Sequence, residues 1–245
     1  MKTITFKDSQ KVAKAVAAEI IKIVNQKPNA VICIAGGDTP LPVMQELIHE
    51  ADLKKVDFSK AYFVGLDEWV GLGKETKGSC IQTLQDNLYE PLGLREEQII
   101  FFDGKANDLE KELDRINAFI AKKGLDFILL GIGMNGHIGF NEPGVTIDSE
   151  AQVVALDEVT TRVMSKYFDE QLPLTEGITL GFKQILAAKN IVLMATGLKK
   201  AEIVKQTVKT KPTNQLPATV LKLAEKEADF YLDEAAASLL EEESL

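Results

Sequence analysis

Short apolar runs alternate with longer amphipathic stretches along almost the whole chain, and this alternation constrains the fold more than any other feature. The runs at 30–34, 61–66, 98–102, 127–132, 152–156, 191–195 and 228–232 are rich in Val, Ile and Phe and are bounded by turn residues or charge, which predicts strands. Between them, 11–24 carries Val12, Val16, Ile20, Ile21 and Val24 at helical spacing, and 41–49, 82–88, 109–120 and 199–208 show similar patterns. Strands that are apolar throughout need cover on both faces. The expectation is an α/β fold with an open, mostly parallel sheet and helices on both faces. The segment before residue 30 has room for one helix ahead of the first expected strand.

At 245 residues the chain is long enough for one large domain and short for two, so a single domain over 1–245 is expected. No internal repeat or low-complexity segment interrupts it. Residues 209–216, with Pro212 and Asn214, read as a loop, and 241–243 as a solvated acidic tail. The net charge of -9 argues against nucleic acid as a partner, because a phosphate backbone needs clustered Lys and Arg. It leaves room for a small anionic substrate in a local positive site. There is neither a signal-peptide pattern nor an apolar run long enough to span a bilayer, so no membrane association and a cytoplasmic location are expected. Cys33 and Cys80 have no metal or redox spacing, and Cys33 reads as a buried thiol.

Parallel sheets bind ligands beyond the carboxyl ends of their strands, so the loops after the strands carry the chemical interest. After Ile34 come Ala35, Gly36, Gly37, Asp38, Thr39 and Pro40, leading into a helix. Two glycines permit close backbone approach, and the free N–H groups at the helix start suit a phosphate. The alternative is an ordinary turn in which Asp38 or Thr39 caps the helix. After Leu66 come Asp67, Glu68 and Trp69. Paired acids at the end of an apolar strand either face solvent or serve chemistry, and a partly desolvated carboxylate can move protons at carbon.

The loop after Ile132 is the most informative: Gly133, Met134, Asn135, Gly136, His137, Ile138, Gly139, Phe140, Asn141, Glu142, Pro143 and Gly144. Its glycines and proline shape an irregular backbone that brings a His, a carboxylate and two amides together. His137 is suited to proton exchange near neutral pH, with Glu142 close enough in sequence to orient it. The other histidine, His49, sits among charges late in a helix and reads as a surface residue. One imidazole without a second imidazole or thiolate makes a poor metal site, so no metal is expected. Lys200, after Thr196 and Gly197, and Lys166, within 160–168, are candidates for neutralising a phosphate.

The 133–144 loop resembles the signature of glucosamine-6-phosphate deaminases. The Gly-Gly-Asp-Thr-Pro turn, the segment 66–70 and the segment 196–201 are similar to that family's other landmarks, in the same order. The resemblance runs from about residue 10 to about 232. The segments 66–70, 78–80, 91–96 and 177–181 are most similar to the galactosamine-6-phosphate isomerase branch. The resemblance implies a modified Rossmann-like sheet and conversion of a phosphorylated amino sugar, galactosamine 6-phosphate, to tagatose 6-phosphate and ammonia. Glucosamine 6-phosphate giving fructose 6-phosphate is the alternative.

The implied roles are proton transfer between C2 and C1 for Asp67, ring opening for His137 with Glu142 as its partner, and membership of the same cluster for Asn135. Gly36, Gly37, Asp38, Thr39, Lys166 and Lys200 would bind the phosphate. No cofactor is implied, and either a monomer or a homo-oligomer is compatible. The chain departs from the pattern at Asn135, where many relatives have Asp, at Asp38, where many have a small neutral residue, and at Lys166, usually Arg. No C-terminal extension of the kind in allosterically regulated relatives is expected, and hence no allosteric activation. Two rivals remain. One is 6-phosphogluconolactonase, whose pattern would put Arg after the paired acids, where this chain has Trp69. The other is a non-enzymatic sugar-phosphate sensor. The segment 148–168 is a candidate lid.

Overall fold

The computed structural model describes residues 1–168, 172 and 174–240, so the acidic tail at 241–243 lies outside the described residues. The first half contains β1 (Lys2–Phe6), β2 (Val31–Ile34), β3 (Tyr62–Gly65), β4 (Asp67–Trp69) and β5 (Ile99–Ile100). The second half contains β6 (Phe127–Gly131), β7 (Gln152–Ala155), β8 (Glu176–Thr179), β9 (Ile191–Ala195) and β10 (Asp229–Asp233). The helices are α1 (Ser9–Gln26), α2 (Leu41–Asp52), α3 (Cys80–Leu84) and α4 (Leu109–Lys123), then α5 (Glu158–Met164), α6 (Phe182–Leu186), α7 (Ala201–Lys209) and α8 (Glu234–Ala237).

Among the described residues, seven strands form one sheet in the order β1-β10-β9-β6-β2-β3-β5, and every pairing in it is parallel. The strands β2 and β9 are buried along their whole length, as runs without a polar face require. Helix α1 begins where Asp8 accepts the Lys11 N–H at 2.9 Å, and it buries Val12, Val16, Ile20 and Val24. Each such side chain contributes roughly 1.5–3 kcal/mol on leaving water. Helix α4 stops at Gly124, whose φ of 69° other residues adopt at a cost. Among the described residues no helix is long and apolar enough to cross a membrane.

Three expectations need correction. The run 152–156 is a strand, but β7 lies outside the parallel sheet. It pairs antiparallel with β8, which pairs antiparallel with β4, in a second sheet. Its half-exposed residues mark a sheet with one solvated face, which apolar content alone does not distinguish from a buried strand. The N-terminal segment holds a strand as well as a helix, because Lys2–Phe6 forms the half-exposed edge beside β10. The helix expected at 82–88 begins earlier, at α3, and continues as a π-helical turn over Gln85–Tyr89.

The strand order reverses at β2, which has β3 on one side and β6 on the other. The loops leaving β2 and β6 therefore diverge and open a crevice at the carboxyl edge. Beside it, the chain leaves β3 at Gly65, passes Leu66 and enters the second sheet at Asp67.

Candidate active site

The loops after β2, β6 and β9, the start of β4 and the segment 159–167 enclose a cavity of about 290 Å³. Gly36, Gly37, Asp38, Thr39, Asp67, His137, Lys166 and Lys200 all line it, so the structure brings most of the expected site residues together. Larger hollows of about 560 and 630 Å³ are lined by residues of 51–59 and by α4 with α6. Neither contains a histidine.

The paired acids have separate fates. Successive side chains along a strand point to opposite faces, so only Asp67 lines the cavity. Asp67 is 8% exposed, and burial pushes its carboxyl up to about 6 against the opposing pull of His137 and the Cys80 thiol. Glu68 is fully buried and accepts the N–H groups of Trp69 at 2.8 Å, Cys80 at 3.1 Å and Ile81 at 2.8 Å. Desolvation raises its carboxyl to about 7 despite those three donors. It fastens the start of α3 to β4. Cys80 in turn packs against the glycine turn, where a β-carbon on Gly36 would stand 3.3 Å from Cys80 Cβ.

In the turn after β2, Gly37 has a φ of 108°, which favours glycine. Neither Asp38 nor Thr39 caps the helix. The cap position of α2 is Pro40, without a side-chain hydrogen bond. The Asp38 carboxylate instead pairs with Lys166 at 2.6 Å, and both side chains are more than half exposed. The hydrogen bond to Asp38 raises the Lys166 ammonium above its ordinary range, and the ammonium also lies 4.7 Å from the Tyr167 ring centre. Lys166 is therefore already matched by a carboxylate. Lys200 donates to the Ile132 carbonyl at 2.6 Å, and burial followed by the Lys166 charge lowers its ammonium.

The His137 loop is held by backbone and amide bonds. Gly133 donates to the His137 carbonyl at 3.0 Å, and Gly136, at a φ of 83°, donates to Gly133 at 3.0 Å. Buried Asn141 donates through Nδ2 to Ile138 O at 2.9 Å and Leu180 O at 2.8 Å. Asn135 and Glu142 stand behind His137 rather than on the cavity wall. Asn135 accepts the His137 backbone N–H at 3.1 Å and donates to Glu142 Oε2 at 2.9 Å. It thus joins the His137 cluster through Glu142 and the His137 backbone, not through the ring. Glu142 Oε2 lies 3.5 Å from His137 Nδ1. Burial pushes the Glu142 carboxyl up, but His137, Thr160 and Asn135 outweigh this and leave it below its ordinary value.

Sequence reasoning missed Thr160 and Tyr167, both on the cavity wall. Thr160 Oγ1 is 3.0 Å from His137 Nδ1. Burial raises the Tyr167 phenol, with the Asp38 charge adding to it. Tyr167 adjoins Lys166, and Thr160 begins the segment that carries that lysine, but neither had a signal of its own. As expected, Cys33 is a buried free thiol and His49 is exposed; Cys80 is a buried free thiol as well.

A buried carboxylate and an imidazole open on one cavity of an α/β fold, beside a glycine turn and two lysines, a set whose chemistry suits proton exchange on an anionic ligand. The chain belongs to the glucosamine-6-phosphate isomerase/6-phosphogluconolactonase family, whose pattern matches residues 7–230. A glucosamine-6-phosphate deaminase of Bacillus pumilus (strain SAFR-032) is 38% identical over 242 residues, covering 98% of this chain and 100% of that one. The AgaI protein of Escherichia coli (strain K12) is 39% identical over 203 residues, 82% of this chain and 80% of that one. A solved monomeric glucosamine-6-phosphate deaminase of the NagB superfamily superposes with a TM-score of 0.93 at 31% identity, covering 98% of this chain and 100% of that one.

Proposed function

We infer that this chain deaminates and isomerises a hexosamine 6-phosphate, with Asp67 and His137 as its proton-transfer groups. The observation that carries the reading is that these two side chains share one cavity with the glycine turn. His137 exchanges protons with the ring oxygen and anomeric hydroxyl and opens the sugar. Asp67, ionised above about pH 6, takes the proton from C2 and returns it to C1. The resulting C2 imine adds water, expels ammonia and leaves a ketose phosphate. Gly36, Gly37, Thr39 and Lys200 receive the phosphate, and Lys166 joins them when it turns from Asp38. Asn135 and Glu142 hold His137 from behind.

For the substrate epimer, the resemblance of the segments 66–70 and 177–181 favours galactosamine 6-phosphate, with tagatose 6-phosphate as product. The glucosamine reading has its own support in the relatives that carry that substrate in their names. The two sugars differ at C4, and a site that hydrogen-bonds one hydroxyl can discriminate strongly. The deciding experiment measures ammonia release from both sugars side by side. Preference for either epimer selects the substrate. Silence on both, with hydrolysis of 6-phosphogluconolactone, would replace deamination by the lactonase reading.

A further inference from the structure

Threonine carries a hydroxyl that can accept one hydrogen bond and donate another, on a β-branched stem that holds it in place. Thr160, in the first turns of α5, is 1% exposed, so its hydroxyl is committed to protein partners. Its Oγ1 lies 3.0 Å from His137 Nδ1, closer than the 3.5 Å between that nitrogen and Glu142 Oε2. The residue before α5, Asp157, directs its N–H at Glu142 Oε1 at 3.5 Å. The start of α5 is thus tied to the His137–Glu142 pair at two points.

These contacts determine which ring nitrogen carries the proton. A carboxylate accepts only, so Glu142 takes the Thr160 hydroxyl hydrogen. This leaves Thr160 Oγ1 as the acceptor facing Nδ1 and makes Nδ1 the protonated nitrogen. Among the described residues, Nε2 of His137 has no protein partner. A neutral ring in this tautomer presents a bare Nε2, able to take a proton from the anomeric hydroxyl and return it to the ring oxygen. Asn135 bonds the His137 backbone rather than its ring and does not fix the tautomer.

We propose that Thr160 is a positioning residue that selects the Nδ1–H tautomer of His137 through its hydroxyl and so prepares Nε2 for ring opening. The proposal deepens the deaminase reading and rests on it for the role of Nε2. The tautomer itself can be measured without substrate.

The test uses the two histidines. In ¹⁵N-labelled enzyme at alkaline pH, long-range ¹H–¹⁵N spectra resolve the two imidazoles, with exposed His49 as internal reference. His137 should be the Nδ1–H tautomer in the unaltered protein and in Thr160→Ser, and should pass to a mixture or to Nε2–H in Thr160→Val. Valine keeps the shape of threonine without the hydroxyl, so the packing of α5 is preserved. In the ammonia assay, Thr160→Val should lower kcat on the cyclic sugar by roughly tenfold or more, a part of what a positioned acid–base group contributes. KM should change little, and Thr160→Ser should recover most of the rate. An unchanged tautomer in Thr160→Val overturns the proposal, as does loss of the tautomer in Thr160→Ser and Thr160→Val alike, which would assign the effect to packing. If the tautomer responds as expected while the unaltered enzyme releases no ammonia from either sugar, the deaminase reading falls and the hold of Thr160 on His137 stands.

Discussion

The imidazole of His137 occupies space that only a glycine at 133 leaves open, since a β-carbon there would overlap three atoms of the ring. The ring, at the end of a side chain, can swing away where backbone could not. Gly133→Ala should therefore displace His137 with little loss of fold. The expected result is a kcat lowered by about a hundredfold, within the range for losing a positioned acid–base group, and a urea midpoint close to that of the unaltered protein. A normal rate in Gly133→Ala would show that His137 acts elsewhere or not at all.

Asp67 makes stability and activity depend on pH in opposite senses. Its folded-state carboxyl is raised from 3.8 to about 6, so between those values the folded protein holds a proton that the unfolded chain has lost. Stability due to this group falls as pH rises through that window, and the deficit, about 3 kcal/mol, is complete above it. Asp67→Asn removes the ionisation. It should be more stable than the unaltered protein to urea at pH 8, with the gap closing towards pH 4, and it should be inactive. The rate of the unaltered enzyme should fall on the acid side near pH 6.

If Lys166 receives the substrate phosphate as proposed, Asp38 competes with that phosphate for its ammonium. Asp38→Ser should lower KM for the sugar phosphate, by less than about fivefold because an exposed pair contributes under about 1 kcal/mol. Lys166→Met should raise it. Steady-state kinetics at low salt checks both, and an increase of KM in Asp38→Ser would mean that the carboxylate helps to hold the substrate.

Glu68→Ala would leave the buried N–H groups of Trp69 and Cys80 and the part-buried N–H of Ile81 without their acceptor. A loss of at least about 3 kcal/mol in urea unfolding is expected, from two or three unsatisfied donors. Glu68→Gln, which keeps an acceptor oxygen, should lose less. Equal losses would mean that the negative charge, not the hydrogen bonds, holds α3 to β4.

The sequence was most legible where its signal is local. The spacing of Val12, Val16, Ile20 and Val24 identifies α1, and the apolar runs of β2, β6 and β9 identify the buried sheet, because periodicity records how many faces an element covers. The glycine-rich loop with His137 and Glu142 pointed to the site because the residues that act together are close in sequence. The edge strand β1 and the second sheet were less legible, because β1 and β7 are half-exposed, β4 is only three residues long, and the identity of each depends on what it pairs with.

The sequence by itself determined a mostly parallel α/β sheet, the loops that carry the chemistry and the family. Only the tertiary structure decided the division of labour within those loops. It placed Asp67 in the cavity and Glu68 beneath it, set Asp38 against Lys166 instead of the helix end, and brought Thr160 from 23 positions away to the imidazole of His137. The physical reason is that a side chain's protonation and partners depend on desolvation and on contacts between distant segments, and these exist only once the chain is packed.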